Sequence, residues 1–140
     1  MADLGAIARR YLDSVNERDW DAMRTVMHPE YSYTGGDGRR VEGGPDVGIA
    51  VSKMFIGAMS DAHIAVDRIH VAGGVTILEC TGTGTHDGKF GNTQPTQTRV
   101  SMPVCIVLEF KDGRIFTERE YMDMAHFLRQ LGALPLAATA

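Results

Sequence analysis

Cysteine is scarce in this chain: Cys80 and Cys105 are the only two among 140 residues, with no CxxC pair and no histidine at metal-ligand spacing. Both sit inside apolar, strand-like segments, so they read as buried reduced thiols, with a disulfide as the lesser alternative. Long apolar runs are missing too. None approaches the ~18 residues of a membrane span, and the opening MADLGAIARRYLDSV has no signal-peptide apolar core, so no membrane partner and a cytoplasmic location are expected. Positive charge is not in excess: 14 Lys and Arg stand against 18 Asp and Glu, for a net charge of −4. Arg9-Arg10 and Arg39-Arg40 are isolated pairs without interleaved aromatics, which argues against a nucleic-acid groove. HExxH, GxSxG, a phosphate loop and an EF-hand are all absent. Metal, acyl-enzyme and nucleotide chemistry therefore have no motif to start from, and the expected site holds neither metal nor cofactor.

What is present is a change of period along the chain. Behind Asp3, a capping residue, Leu4, Ile7, Ala8, Tyr11, Leu12 and Val15 repeat at helical spacing. Asp19 opens a second, short helix carrying Trp20, Met23 and Met27, which must end before Pro29. Tyr31 and Tyr33 follow at strand spacing, and the glycine-rich Thr34–Gly44 stretch reads as a loop or loose hairpin. Pro45 suits a first helical turn, with Val47, Val51, Met54, Phe55 and Ala58 along one face. From His63 onward the chain reads as two hairpins, one around Ala72-Gly73-Gly74 and one around Asp112-Gly113, followed by a last helix. Helices first and antiparallel strands after describe one α+β domain over residues 1–140, its sheet curling around the helices. The tail after Gly132, ALPLAATA, is expected to be loosely ordered or to pack on a neighbouring subunit.

The stretch FTEREYMDMAHFLRQLG, residues 116–132, starts as a strand and finishes as a helix. A two-residue turn at Asp112-Gly113 would pair Thr117 with Leu108, Arg119 with Ile106, Tyr121 with Val104 and Asp123 with Met102. Arg119, Tyr121 and Asp123 would then share a face with an apolar row, the mixture a ligand pocket needs. A desolvated Asp123 is drawn toward neutrality unless a cation offsets its burial, and in that state it exchanges protons with a carbon acid. The same residue immediately precedes a helix, so it reads equally well as an N-cap. Arg119 and Tyr121 are also compatible with an edge strand whose polar tips reach water. A single bulged residue would reverse the faces and turn Glu118, Glu120 and Glu109 inward, with Glu109 as the reserve candidate.

His86 is the other chemical candidate. Gly82 and Gly84 leave bare the strand face that also carries it, a device for bending a sheet or admitting a ligand. His86 can donate to a substrate oxygen or shuttle a proton near neutral pH, or it can simply bond nearby backbone at a strand end. His63 and His28 sit at element boundaries, where turn chemistry explains them. Trp20, Tyr33, Met54, Phe55 and Met102 are candidate apolar walls, each equally an ordinary core residue. Cys105 and Val107 make the outer sheet face too apolar for water, which favours a homodimer.

The order GTHDGKFG, QPTQTRV, FKDGRI, EYMD and FLRQLG resembles the SnoaL-like polyketide cyclase family of the NTF2-like superfamily, continuously from Asp61 to Pro135. Gln97 and Thr98 depart from it, standing where the family often has glycine and a basic residue. The resemblance implies a cone: a curved antiparallel sheet wrapped around N-terminal helices, a ligand in the mouth, and dimers through the outer face. It implies cofactor-independent aldol-type ring closure of a hydrophobic, polyketide-like carbonyl substrate by an aspartate at the end of the last long strand. Asp123 matches that position and His86 matches the histidine of the GTH motif, with Arg119 and Tyr121 as further substrate contacts. An isomerase or epoxide hydrolase using the same pocket carboxylate, or a non-catalytic binding module, are the competing readings.

Overall fold

The structure is a computed structural model that describes residues 2–133; the expectation for the tail falls mainly on residues 134–140, outside the described residues. Among the described residues, four helices and six strands run in the order α1 (Leu4–Glu17), α2 (Trp20–Thr25), β1 (Met27–Thr34), β2 (Arg40–Glu42), α3 (Pro45–Ala58), β3 (His63–Ala72), β4 (Val75–Thr85), β5 (Arg99–Lys111), β6 (Arg114–Tyr121) and α4 (Met124–Gln130). The strands form one sheet in the order β2-β1-β6-β5-β4-β3, all antiparallel except β1 beside β6. This is the curved, helix-lined sheet that the resemblance implies. No helix among the described residues is long and apolar enough to cross a membrane.

Local chemistry sets the ends of these elements. The Asp3 carboxylate accepts from the Ala6 N–H at 3.0 Å and Asp19 does the same for Ala22, each satisfying a first-turn donor. Pro45 begins α3, where its missing N–H costs nothing. Met27 belongs to β1 and not to α2, which stops at Thr25; the β pairing of Met27 with Ile115 takes precedence over its helical spacing. Thr34–Gly44 is a loose hairpin, joining β1 to the three residues of β2.

The decisive departure from the sequence reading lies in β6. Asp112 and Gly113 both take positive φ, 53° and 71°, so they form the expected two-residue turn and Lys111 faces Arg114. Phe110 then pairs with Ile115, but Glu109 pairs with Thr117, leaving Phe116 as an extra residue on β6. From there the register is shifted by one: Leu108 faces Glu118, Val107 Arg119, Ile106 Glu120 and Cys105 Tyr121. Because side chains alternate, the shift exchanges the two faces of the strand. Glu118 and Glu120 join the inner row of Ile106 and Leu108, while Thr117, Arg119 and Tyr121 go outside with Glu109, Val107 and Cys105.

The main core lies between the inner sheet face and α1 to α3, with Tyr11, Met23, Met27, Tyr31, Leu78, Ile106, Leu108 and Ile115 at its centre. A smaller cluster of Ala58, Met59, Val100, Met102, Phe127 and Leu131 seats α4 across one end. Both cysteines are free: Cys80 faces the core, where burial pushes its thiol up to about 12, and Cys105 is half-buried on the outer face.

Candidate active site

Between the two clusters lies a cavity of about 140 Å³. The helical wall comes from Tyr11, Leu12 and Val15 of α1 and Val51, Phe55 and Ile56 of α3; the sheet contributes Gly82, Met102, Val104 and Ile106. Glu118 and Glu120 line it too, the only acidic side chains among its lining residues.

Three tyrosines hold this pair. The Tyr11 and Tyr31 hydroxyls donate to the same oxygen of Glu118, Oε1, at 2.5 and 2.6 Å, and the Tyr33 hydroxyl donates to Glu120 Oε2 at 2.8 Å. Parallel pairing of β1 with β6 brings Tyr33 beside Glu118, and helical spacing turns Tyr11 of α1 toward the sheet. Gly48 makes the convergence possible. A Cβ there would stand 2.9 Å from Tyr31 Oη and 2.8 Å from Met27 Cε, so only glycine lets α3 approach while Tyr31 reaches its partner.

Burial has an electrostatic consequence. Glu120 keeps some surface open to the cavity but is enclosed by protein. Desolvation first, and the neighbouring charge of Glu118 second, raise its pKa well above the ordinary glutamate value, with the Tyr33 hydrogen bond opposing them. All three phenols are pushed above the ordinary tyrosine value, mainly by burial and then by the glutamate each one binds. Tyr11, Tyr31 and Tyr33 are therefore hydrogen-bond donors at neutral pH. Glu118 is the acceptor of two O–H bonds, while burial draws Glu120 toward its neutral form. Two neighbouring carboxyls held in such different surroundings are suited to act as acid and base.

The structure brings some of the expected residues to this cavity and leaves others away from it. Tyr33, Phe55 and Met102 line it. Asp123 does not: it is exposed, caps α4 by accepting from His126 N–H at 3.0 Å, and borders an open groove on the outer side of the sheet. The face expected for Arg119 and Tyr121 is corrected by the bulge. Arg119 donates to Glu109 Oε2 at 3.0 Å on the outer face, and Tyr121 is 58% exposed there. Glu109, the reserve candidate, also stays outside, where hydrogen bonds from Thr117 and then Arg119 hold its pKa below the usual glutamate value. His86 is fully buried but does not line the cavity. Its Nδ1 accepts from the Thr96 N–H at 3.2 Å, which places the ring hydrogen on Nε2, and its backbone pairs with Gln97 and Thr98. Trp20 packs at the edge of the core with the Lys53 ammonium 5.5 Å above its ring, and Met54 is 51% exposed and does not line the cavity. Gly82 does line the cavity, as its bare strand face suggests, whereas Gly84 makes room for Met59.

Comparison with known proteins bears on the fold. The family model described as SnoaL-like polyketide cyclase matches residues 5–131. Among solved structures, a candidate SnoaL-like polyketide cyclase from Jannaschia sp. CCS1 superposes with a TM-score of 0.86 at 21% identity, covering 94% of this chain and 93% of that one. AclR, a candidate hydroxylase from Streptomyces galilaeus, gives 0.84 at 24% identity, with 96% and 87% covered. An LEH-like epoxide hydrolase from M. tuberculosis gives 0.69 at 21% identity, with 90% and 86% covered. No curated protein matches the chain.

Proposed function

The chain belongs to the SnoaL-like polyketide cyclase family, and from that premise we propose that it closes a ring in a hydrophobic, polyketide-like carbonyl compound through the Glu118–Glu120 pair. The observation that carries this reading is the pair itself: two adjacent carboxyls in an apolar cavity, one accepting two phenol hydroxyls and the other raised toward neutrality. Glu118, the acceptor of two phenol hydroxyls, takes the acidic α-proton of the substrate. The resulting enolate carbon attacks the second carbonyl carbon, a C–C bond forms, and the carbonyl π electrons move onto oxygen. Glu120 gives its proton to that alkoxide, and the proton on Glu118 then passes to Glu120, restoring the pair with no net gain or loss of atoms. Tyr33, bonded to Glu120, lies beside the oxygen where charge develops. The acid–base role expected of Asp123 passes to the pair in this reading, because Asp123 does not touch the cavity.

Glu120→Gln keeps the shape of the site and removes the acid. Polyketide esters, cyclic enones and epoxides, screened first for binding by thermal shift, supply the substrate. Affinity is expected to survive while turnover falls by roughly 10²–10⁴-fold; full turnover in the variant would overturn the assignment.

A second reading, epoxide opening, is favoured by the same neutral carboxyl, since a buried acid beside a phenol is a proton donor for an epoxide oxygen. Product analysis with the epoxide members of the panel separates the two. A non-catalytic binding module would bind members of the panel and convert none.

A further inference from the structure

None of the residues of the GTHDGKFG stretch, Gly84–Gly91, lines the cavity. The stretch instead fastens the loop between β4 and β5 to the end of α3. The Asp87 carboxylate accepts from the Ser60 N–H at 2.9 Å and from the Ser60 hydroxyl, while the Asp87 and Gly88 N–H groups donate to the Ala58 carbonyl at 3.1 and 2.9 Å. Position 88 must be glycine, because a Cβ there would run into the Gly57 carbonyl oxygen. Farther along the loop, the Thr96 N–H donates to His86 Nδ1 at 3.2 Å, and Phe90 and Thr93 exchange backbone hydrogen bonds at 3.0 and 2.8 Å.

This anchoring delivers the Phe90 ring to two others. Its centroid lies 5.9 Å from that of Phe55, the rings stacked at 27°, and 5.1 Å from that of Phe127, edge to face at 76°. Aromatic pairs attract at such separations. Phe55 of α3 and Phe127 of α4 both line the cavity, and among the described residues they form no ring pair with each other. Phe90 is the ring that joins them. It stands behind both walls, half-buried, and so acts on a ligand only through them. Packed side chains relax partway into space left by a lost neighbour, so the positions of these walls depend on the ring behind them.

We propose that Phe90 is a positioning residue for ligand width: by bracing Phe55 and Phe127 from behind, it sets how broad a ring system the cavity accepts. The proposal rests on the cavity being the ligand site and not on the reaction assigned to it.

Toluene and naphthalene, one ring and two, carry neither charge nor a hydrogen-bonding group, so their relative affinity reads shape alone. NMR titration compares them in the parent and in Phe90→Ala, where both walls gain space to retreat. The ratio of naphthalene to toluene affinity is expected to rise about tenfold, the low end of what room for one methylene is worth in an apolar pocket. Phe90→Leu, which keeps part of the bulk, should move the ratio the same way by less, and it carries the test if the alanine variant does not fold. Lys89→Ala, exposed in the same loop, should keep the parent ratio. An unchanged ratio in a folded Phe90 variant, or no binding of either hydrocarbon to parent and variant, would overturn the proposal. So would loss of folding in both Phe90 variants, which would make the ring a support of the fold and not of the cavity's width. Full turnover in Glu120→Gln would instead overturn the acid–base reading and leave the Phe90 comparison standing.

Discussion

Tyr33 and Glu120 are joined by a 2.8 Å hydrogen bond in which the phenol donates and the carboxyl accepts, and this bond is what restrains the rise of the Glu120 pKa. Removing the donor should therefore move the carboxyl further upward. Tyr33→Phe is expected to shift its titration to higher pH than in the parent, read from carboxyl carbon NMR; a downward shift would show that burial and Glu118 do not govern the group.

Glu120 also predicts how stability depends on pH. Its folded pKa is raised, so the native chain retains a proton that the unfolded chain, with a glutamate pKa of about 4.3, has released. The associated stability is full below that value and is lost as pH rises through the folded pKa. Its contribution has a slope of up to about 1.4 kcal/mol per pH unit. Denaturant titrations between pH 4.5 and 8 should show this decline in the parent and a flatter curve in Glu120→Gln. Asp61 and Asp87, whose pKa values are lowered by hydrogen bonds from Thr85 and Ser60 respectively, act below that window and in the opposite sense.

Asp123 should behave as a cap. Asparagine caps a helix as well as aspartate does, so Asp123→Asn should match the parent in stability, whereas Asp123→Ala should lose ~1 kcal/mol. Neither should change turnover by more than about twofold, the yardstick being the 10²–10⁴-fold effect of removing an acid–base group. A large loss of turnover in a folded Asp123→Asn would return the residue to the mechanism.

Gly48→Ala tests the support beneath the pair. The added methyl would press on Tyr31 Oη and Met27 Cε at distances below van der Waals contact. Overpacking of this kind costs about 1–3 kcal/mol, and here it should also displace the hydroxyl from Glu118. Chemical denaturation reads the first effect, and a changed titration of Glu120 reads the second.

The homodimer expected from the apolar outer face is open to sedimentation. Ile77 and Tyr121 on that face are exposed at 36% and 58% in the single chain, a surface that a symmetric partner would cover. A dimer at micromolar concentration, shifted toward monomer by Tyr121→Glu, is the expected result; a parent that sediments only as monomer would rule it out.

Element order was readable from the sequence because it rests on local signals: Asp3, Asp19 and Asp123 at helix starts, Pro45 in a first turn, Asp112-Gly113 between alternating strands. The site depends on something less local. In Thr117–Tyr121 both alternating sets are polar, Thr, Arg and Tyr against Glu and Glu, so periodicity cannot choose between the faces. Counting from the turn chooses wrongly, since Phe116 adds one residue that only pairing with β5 reveals. Tyr11 and Tyr31 were legible as core but not as donors, because nothing in either segment marks the buried carboxylate they meet across the fold.

The hydrogen bond from Tyr11 to Glu118 joins residues 107 positions apart. As the chain leaves a ribosome, α1 must wait for nearly all of β6 before its tyrosine finds this partner. Contacts of such sequence separation form late, because loop closure must be met before they reward the chain. Until then Glu120 is an ordinary carboxylate in water, without the burial that raises its pKa. The reactive pair is thus born with the finished fold, and no early intermediate of synthesis carries its chemistry.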